Sequence, residues 1–427
     1  MTKLCVLGLG YIGLPTAAMF ATHGIQVVGV DVNGEVVDTL NNGDVHIHEP
    51  GLKTLVAAAR KSCSLRIATA PESADAFIIA VPTPLIRAGD GRRPMADLRH
   101  VCAAAEAIVP QLAPGNLVVL ESTVPPRTVT DVLLPILRRS GLHISGEAGS
   151  EASEDDLLVA HCPERVLPGR ILEELVGNDR VIGGVDRRSA EAARELYASF
   201  VQGTMLLTDA TTAEMVKLME NTYRDVNIAL ANEFSLVAEG LGIDVWEAIA
   251  LANRHPRVNI LKPGPGVGGH CIAVDPWFIV EVAPEATHLI QAARRVNDSM
   301  PEQTVRRVRQ ALLGIEQPVV ACLGLSYKGG TGDMRESPAI RVVELLGAQG
   351  CRVRAYDPYV EPGRVRGQVC SMKEALDGAN AVLVLTDHPE FVGLPASELA
   401  GEDGRLVLDT RACLDHGASQ SQPPGRQ

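Results

Sequence analysis

The sequence predicts an α/β protein with two Rossmann-like doubly wound domains, joined by a long central helix and a small helical domain. Three observations support this prediction. Near the start of the chain, a short apolar strand runs into the turn Gly8-Leu9-Gly10-Tyr11-Ile12-Gly13. From residue 319 onward, the chain repeats the same order of strands and helices. Between these parts, residues 211–239 contain no proline or glycine and carry a helical pattern.

The composition fits several packed domains and argues against some classes of protein. A chain of 427 residues exceeds one ordinary domain. No apolar run of about 18 residues occurs, so we expect no contact with a membrane. A net charge of −13 argues against nucleic acid as a partner. Nine scattered cysteines without a CxxC pair argue against disulfides and a metal site, and favour a cytoplasmic protein.

The first strand, predicted over residues 4–7, leads into the fingerprint of a dinucleotide-binding fold. A helix over 14–22 and a second strand over 27–30 follow, and Asp31 ends that strand. Glycines allow the tight turn and the approach of a pyrophosphate to the helix N-terminus, and the aspartate binds ribose hydroxyls. A 2′-phosphate would meet the Asp31 carboxylate, so the sequence predicts NAD rather than NADP as cofactor.

Two further strands, predicted over 76–81 and 117–120, end close to Thr83 and Thr123. In doubly wound sheets the ligand lies beyond the carboxyl ends of the strands. We therefore expect both threonines to contact the cofactor, although they could instead be polar caps of the strands. A third strand, over 157–160, leads into a loop punctuated by proline and glycine that carries Glu164 and Arg165 and suits the wall of a binding site.

The central helix, about 29 residues and roughly 43 Å long, is predicted to join two domains and to form a dimer interface. Lys217, Asn221 and Arg224 fall on one face of it. Such a face suits phosphate and hydroxyl groups, and the alternative is a solvated stripe. Beyond the helix, His255 and Arg257 resemble an anion-binding segment, with a basic helix C-terminus as the alternative.

The segment KPGPGVGGHCIAVDPW, residues 262–277, carries the predicted nucleophile. Cys271 lies between a glycine-rich loop and a predicted helix start, with Asp275 as N-cap and Pro276 at the first helical position. A thiolate is favoured there, and the glycines would let a substrate approach the main chain. The alternative is a buried, inert cysteine.

The last third of the chain repeats the nucleotide fold with a different first turn. A strand over 319–323 ends at Gly324, a helix covers 337–349, and a strand over 353–356 ends at Asp357. The turn Gly324-Leu325-Ser326-Tyr327-Lys328 lacks the GxGxxG pattern. We expect this fold to bind a different nucleotide, with Lys328 near a phosphate. The predicted domains are 1–208, 209–300 and 301–416, followed by a disordered tail over 417–427.

An NAD fold, a cysteine nucleophile and a second nucleotide fold together predict oxidation of a nucleotide-linked alcohol through a thioester. Seven motifs in order then make the chain similar to the UDP-glucose/GDP-mannose dehydrogenase family over essentially its whole length. They are GLGYIGLP with Asp31, VPTP at 81–84, ESTVPP at 121–126, CPERVLPG at 162–169, the helix with Lys217 and Asn221, GPGVGGHCIAVDP at 264–276, and the segment 324–338.

Within that family, RHPRVNIL and the cysteine segment are most similar to members that oxidise UDP-N-acetyl-D-mannosamine for surface polysaccharides. UDP-glucose members usually carry lysine where this chain has Val274. The resemblance therefore implies a UDP-N-acetylhexosamine substrate, with UDP-N-acetyl-D-glucosamine as the alternative sugar. A catalytically silent protein that binds NAD or a nucleotide sugar is the alternative from another class.

The resemblance also implies roles for individual residues and a homodimer in which His255 or Arg257 reaches the partner's site. The catalytic residues would be Cys271, Lys217, Asn221, Glu164, Asp275 and Thr123. NAD would be held by Gly8, Gly10, Tyr11, Ile12, Gly13, Asp31, Thr83, Thr123 and Arg335. The nucleotide sugar would be held by Arg165, Val166, Lys217, Asn221, Arg224, His255, Arg257, Gly268, Tyr327, Lys328 and Arg411.

Overall fold

The computed structural model describes residues 2–87, 93–146, 153–401 and 404–416, so the predicted tail over 417–427 lies outside the described residues. Packing divides the chain into two compact units. The first unit is Met1–Glu220 with Trp277–Pro284, and the second is Asn221–Pro276 with Glu285–Gln427. The domain boundaries expected after residues 208 and 300 remain predictions.

The described residues form fourteen strands. They are β1 Lys3–Leu7, β2 Gln26–Val30, β3 Leu65–Ala68, β4 Ala76–Ile79, β5 Leu85–Ile86, β6 Met95–Ala96, β7 Leu117–Leu120, β8 Leu158–His161, β9 Arg180–Gly184, β10 Met205–Asp209, β11 Val319–Leu323, β12 Arg352–Tyr356, β13 Ala381–Val384 and β14 Leu406–Asp409.

The same part of the chain forms fourteen α-helices. They are α1 Gly13–Thr22, α2 Gly34–Asn41, α3 Leu52–Lys61, α4 Arg99–Ile108, α5 Leu134–Leu137, α6 Ile171–Gly177, α7 Arg187–Tyr197, α8 Ala210–Leu241, α9 Val245–Ala252, α10 Asp275–Val282, α11 His288–Ala311, α12 Pro338–Ala348, α13 Met372–Leu376 and α14 Ala396–Ala400.

The first unit contains a doubly wound sheet in the order β3-β2-β1-β4-β7-β8-β9-β10. The strands from β3 to β8 are parallel, and β9 pairs antiparallel with β8. The strand order reverses between β1 and β4, which is where such sheets bind their ligands. Apolar side chains cover both faces, with Val6 and Ile78 on one and Cys5 and Phe77 on the other. The predicted first Rossmann-like fold is confirmed.

The second unit contains a smaller sheet in the order β12-β11-β13-β14, in which all strands are parallel. Alternate residues of β11 enter different cores, with Val320 and Cys322 on one face and Ala321 and Leu323 on the other. This arrangement confirms the second Rossmann-like fold, which the sequence predicted from its repeated order of strands and helices.

The central helix α8 has 32 residues, which corresponds to roughly 48 Å. It is longer than predicted because it continues through Gly240. It is followed by Gly242, whose φ of +69° suits a residue just beyond a helix C-terminus. No helix within the described ranges combines the length and the apolar character needed to cross a membrane.

Candidate active site

The turn after β1 is built for close approach of a ligand. A Cβ atom at Gly8, where φ is +89°, would lie 2.6 Å from the Ala80 carbonyl oxygen, and a Cβ at Gly13 would lie 1.8 Å from the Gly8 oxygen. At Gly10, by contrast, a Cβ would meet nothing within 4 Å. Two glycines are therefore required by packing, and the third leaves open space just before α1. That space fits a pyrophosphate at the helix N-terminus, next to Tyr11 and Ile12.

Asp31 follows β2, and its carboxylate is fixed by backbone donors. Oδ2 accepts a hydrogen bond of 2.9 Å from the Leu9 N–H, and Oδ1 accepts one of 2.9 Å from the Asn33 N–H. Each carboxylate oxygen keeps a further lone pair for a hydroxyl donor. Held in this way, the Asp31 carboxylate fits its predicted role of binding the ribose hydroxyls of NAD.

The two predicted threonines join the ends of neighbouring strands. Thr83 is buried, and its hydroxyl donates a hydrogen bond of 2.7 Å to the Thr123 carbonyl. Ser122 donates one of 2.7 Å to the Val81 carbonyl. The hydroxyl proton of Thr83 is thus used within the protein, and the cofactor contact of Thr83 stays a prediction. Thr123 is half-buried at the carboxyl end of β7.

Glu164 follows β8 and is buried. Its Oε1 accepts a hydrogen bond of 2.7 Å from the Arg165 N–H. Its Oε2 lies 2.9 Å from Nη2 of Arg180, a buried residue of β9. A buried carboxylate held by an ion pair has little freedom to move, so Glu164 occupies a defined position.

A second buried carboxyl, Glu121, lies near Arg180. Its Oε1 is 3.9 Å from Arg180 Nη1 and accepts a hydrogen bond of 3.0 Å from the Tyr197 hydroxyl. Burial and the charge of Glu164 raise the pKa of Glu121 to about 8. Glu121 is therefore protonated at neutral pH, and the charge of Arg180 is balanced by Glu164. Sequence reasoning missed this group because its four members come from separate parts of the fold: Glu121 follows β7, Glu164 follows β8, Arg180 lies in β9 and Tyr197 in α7.

Arg165 is already paired. Its Nη2 lies 2.6 Å from Glu220 Oε1, and Nη1 donates a hydrogen bond of 2.9 Å to the Asp179 carbonyl. Its predicted contact with the substrate, like that of the half-buried Val166, stays a prediction. Lys217 lies on α8 with only 9% of its surface exposed, so the predicted face of α8 is buried at this position.

In the second unit, Cys271 is exposed near the end of residues 264–275, here named the cysteine loop. Its carbonyl accepts hydrogen bonds of 3.0 and 2.8 Å from the N–H groups of Val274 and Asp275. Helix α10 begins at Asp275, so the predicted N-cap is the first helical residue, and the prediction was wrong by one position. Asn221 donates a hydrogen bond of 2.6 Å to Asp275 Oδ2. The structure thus brings together Asn221 and Asp275, two residues of the predicted catalytic set.

Three glycines of the cysteine loop pack so closely against neighbouring protein atoms that a Cβ would clash. A Cβ at Gly268 would lie 2.7 Å from Tyr327 Cβ, and a Cβ at Gly269 would lie 2.8 Å from the Tyr327 ring. At Gly266 it would lie 2.9 Å from Pro338 Cβ. The sequence predicts that these glycines let a substrate approach the main chain. The structure gives a further reason for glycine here, because the side that a Cβ would occupy packs against the segment after β11. The approach of a substrate stays a prediction.

Asp357, after β12, occupies the position of Asp31 in the second fold. Its Oδ2 accepts a hydrogen bond of 2.7 Å from the Leu325 N–H and lies 2.9 Å from His388 Nε2. Burial would raise the pKa of Asp357, but these hydrogen bonds outweigh burial and lower it. His388 Nδ1 accepts a bond of 3.1 Å from the Gly330 N–H, so the ring proton lies on Nε2 and faces Asp357. The Asp357 carboxylate thus holds the loop after β11 and has few lone pairs left for a ribose.

The remaining predicted cations of the second fold border the same loop. Arg411 donates hydrogen bonds of 3.2 Å to the Tyr327 carbonyl and 3.1 Å to the Leu385 carbonyl. Arg335 forms a bidentate pair with Asp333, with Nη2 2.6 Å from Oδ2. Lys328 lies half-buried in the loop. The predicted contacts of Arg335 with NAD, and of Arg411 and Lys328 with the nucleotide sugar, stay predictions.

Three predicted substrate residues lie on the surface of the second unit. Arg224 on α8 and His255 and Arg257 after α9 are exposed. The Arg257 N–H is 3.4 Å from His255 Nδ1, which orders the segment locally.

Among the described residues, no group of three or more His, Cys, Asp or Glu side chains could hold a metal ion.

Comparisons with known proteins agree with this geometry. Models of the UDP-glucose/GDP-mannose dehydrogenase family match residues 2–201 (NAD binding domain), 211–299 (central domain) and 321–416 (UDP binding domain). A UDP-N-acetyl-D-mannosamine dehydrogenase of Methanococcus maripaludis (strain C7) is 48% identical over 97% of this chain and 93% of its own length. An NDP-N-acetyl-D-galactosaminuronic acid dehydrogenase of Ralstonia nicotianae is 50% identical over 96% and 95%.

A solved UDP-N-acetyl-mannosamine dehydrogenase from S. aureus has the same fold, with a TM-score of 0.87 and 46% identity over 97% of this chain and 96% of that chain. The family matches follow the order of the motifs in the sequence, and the predicted resemblance is confirmed. An NAD-binding fold, a central region and a UDP-binding fold in this order are the parts of one kind of oxidoreductase. The chain belongs to the UDP-glucose/GDP-mannose dehydrogenase family.

Proposed function

We propose that this protein oxidises the C6 hydroxyl of UDP-N-acetyl-D-mannosamine to a carboxylate, with two NAD consumed per sugar. The product, UDP-N-acetyl-D-mannosaminuronate, would serve the synthesis of surface polysaccharides, and the protein would act in the cytoplasm. The observation that carries the proposal is the exposed Cys271 beside Asp275, which Asn221 holds, in a chain with two nucleotide folds. The names of similar proteins support the choice of sugar.

NAD would be held by the turn after β1, by Asp31 and by the groups predicted above. When bound, NAD supplies the acceptor for the two hydrogens and electron pairs that leave the substrate. The Asp31 carboxylate disfavours a 2′-phosphate at the ribose, because two negative charges would meet. The open space at Gly10 supports the placement of the pyrophosphate.

In the first half of the reaction, Lys217 would take the proton of the C6 hydroxyl as a hydride leaves C6 and the alcohol becomes an aldehyde. The Cys271 sulfur would then bond to the aldehyde carbon to give a thiohemiacetal. Lys217 and Asn221 would stabilise the oxyanion that forms. Loss of a second hydride from that carbon, with bound NAD as its acceptor, leaves a thioester on Cys271.

In the second half, water would attack the thioester carbon, and the C–S bond would break to give the carboxylate and a free thiol. Glu164 and Asp275, helped by Thr123, would orient the water and take its proton. The buried ion pair of Glu164 with Arg180 supports this role, because it fixes the carboxylate. The nucleotide sugar would be bound by the remaining predicted residues, which are Arg165, Val166, Arg224, His255, Arg257, Gly268, Tyr327, Lys328 and Arg411.

We also propose a homodimer formed through α8. Five apolar side chains are exposed in the part of α8 that belongs to the second unit: Tyr223, Leu230, Phe234, Val237 and Leu241. Their spacing of seven, four, three and four residues places them on one helical face. A continuous apolar stripe on a helix is suited to pairing with its own copy about a twofold axis.

The test is the amount of NADH formed per sugar consumed, with UDP-N-acetylmannosamine, UDP-N-acetylglucosamine and UDP-N-acetylgalactosamine measured in parallel. The galactosamine sugar is included because a relative named for it is 50% identical to this chain. Two NADH with the mannosamine sugar alone are expected. Two NADH with another sugar would move the proposal to that sugar, and none with any of the three would refute it.

A Cys271→Ser variant tests the proposed mechanism through a thioester on Cys271. We expect its overall turnover to fall by more than roughly a thousandfold, because a hydroxyl at this position is a much weaker nucleophile than a thiolate. NAD binding should stay unchanged. Cys63→Ser, at another exposed cysteine, is the matched control and should turn over like the wild type. Unchanged turnover of Cys271→Ser would contradict the mechanism.

A further inference from the structure

The cysteine loop is attached to α8 at both of its ends. At the end of the loop, Asn221 Nδ2 donates a hydrogen bond of 2.6 Å to Asp275 Oδ2. At the start of the loop, the Gly264 N–H donates a bond of 2.8 Å to Asn232 Oδ1. Two asparagines of one helix therefore bracket the segment that carries Cys271.

The spacing of the two asparagines places them on the same face of α8. Positions 221 and 232 differ by eleven residues, which is about three turns of α-helix and roughly 16 Å along its axis. A rigid helix thus sets the distance between the first and last anchor of the loop.

Asn232 is itself held by a chain of buried polar groups. Its Nδ2 donates a hydrogen bond of 2.9 Å to Asn297 Oδ1, and Asn297 Nδ2 donates one of 2.8 Å to Asp225 Oδ1. Arg294 pairs with the same carboxylate oxygen. Asn232, Asn297, Asp225 and Arg294 are each at most 1% exposed.

The direction of this chain of hydrogen bonds is determined by its two ends. A backbone N–H can only donate, and an ionised carboxylate can only accept. Both amides must therefore point their oxygen toward Gly264 and their nitrogen toward Asp225. A flipped amide would leave donors facing donors in a buried place, where unpaired polar groups are costly.

We propose that Asn232 is a positioning residue for Cys271, which with Asn221 fixes the cysteine loop on α8. The loop cannot move along the helix without leaving Gly264, Asn232 or Asn297 unpaired. This inference rests on the proposed function of Cys271 as the nucleophile. Asn232 touches neither the substrate nor the sulfur in this role, because it acts through the backbone of the loop.

The test compares Asn232→Asp and Asn232→Ala with Asn227→Ala. Aspartate keeps the size and the acceptor for Gly264 but turns an oxygen toward Asn297 Oδ1, whereas alanine removes both bonds. Asn227 is the matched control, because it lies on the same helix and donates a hydrogen bond of 2.7 Å to the Tyr223 carbonyl of that helix. If the alanine variant does not fold, the aspartate variant decides.

Two quantities are measured at a temperature where every variant is folded. We expect kcat to fall roughly ten- to a hundredfold in both Asn232 variants, with KM for NAD and for the sugar nucleotide within about twofold, because a small displacement of a nucleophile slows chemistry more than binding. Alkylation of Cys271 by iodoacetamide without substrate, followed by peptide mass spectrometry, should slow at least about threefold.

Asn232 variants that keep kcat and the alkylation rate of the control would overturn the proposal, even if they melt at a lower temperature. A wild-type protein that forms no NADH with any of the three sugars would refute the proposed function instead. In that event the alkylation rates still decide whether Asn232 positions Cys271.

Discussion

At the scale of single residues, the buried Arg180 pairs with Glu164, the carboxylate that we propose to orient the hydrolytic water. Arg180 contacts Glu164 and lies near Glu121, and its guanidinium carbon lies 4.7 Å from the centre of the Tyr197 ring. One cation between two carboxyls is balanced when one of them is protonated. Since burial and the charge of Glu164 raise the pKa of Glu121 to about 8, Glu121 is the protonated member at neutral pH.

Replacement of Glu121 by glutamine should remove part of the pH dependence of stability. The pKa of Glu121 is about 8 in the folded protein, against an ordinary value of 4.5. Between these values the unfolded chain has lost the proton and the folded protein has kept it, so stability falls as the pH rises through this window. The loss is about 1.4 kcal/mol of unfolding free energy per pH unit.

Denaturant melts at pH 6, 7 and 8 check this prediction. The Glu121→Gln variant should become more stable relative to the wild type as the pH rises, because glutamine does not titrate. Glu195→Gln, at an exposed position on α7, is the control and should follow the wild type. Parallel curves for wild type and Glu121→Gln would show that Glu121 is ionised throughout.

At the scale of elements, the loop after β11 is held by residues that follow its two neighbouring strands. Asp357 follows β12 and His388 follows β13, and both bond to residues 325–330. The loop after β1 has a single carboxylate, Asp31, in the matching place. His388 is thus a second anchor of the turn after β11, which forms without the GxGxxG pattern.

The His388→Ala variant should bind UDP roughly tenfold more weakly, which corresponds to about 1.4 kcal/mol, because the loop with Tyr327 and Lys328 loses its anchor at Gly330. The affinity for NAD should not change, since that nucleotide belongs to the first fold. Isothermal titration with UDP and with NAD measures both. His288→Ala, at an exposed histidine of α11, serves as the control. Equal losses for UDP and NAD, or none for UDP, would refute the role of His388.

At the scale of the whole molecule, the exposed stripe on α8 predicts the oligomeric state. Phe234→Glu places a charge in the middle of the stripe, and burying that charge in a dimer would be unfavourable. We expect this variant to be monomeric at concentrations where the wild type is dimeric. Light scattering after size-exclusion chromatography measures the mass directly.

The matched control for this prediction is Leu313→Glu, because Leu313 is also highly exposed but follows α11. It should leave the dimer intact. A monomeric wild type, or a Phe234→Glu variant that stays dimeric, would refute the interface on α8.

The sequence by itself determined both nucleotide folds, the central helix and the position of Cys271. These features depend on local patterns, such as the glycine turn that ends at Asp31 or the uninterrupted helical period of α8. Turn chemistry and periodicity act between residues close in the chain, so they can be read without the fold. The end of α8 was missed because Gly240 is tolerated within a helix, whereas Gly242 with its positive φ lies just past its end.

Only the tertiary structure decided what the polar groups around the site bind. Asn232 bonds to Asn297, which is 65 residues away, and Arg180 reaches Glu121 and Glu164 from another strand. The packing of Tyr327 against Gly268 and Gly269 of the cysteine loop is likewise seen only in the structure. Such contacts depend on which elements pack together, and a sequence pattern within one element contains no record of its partner.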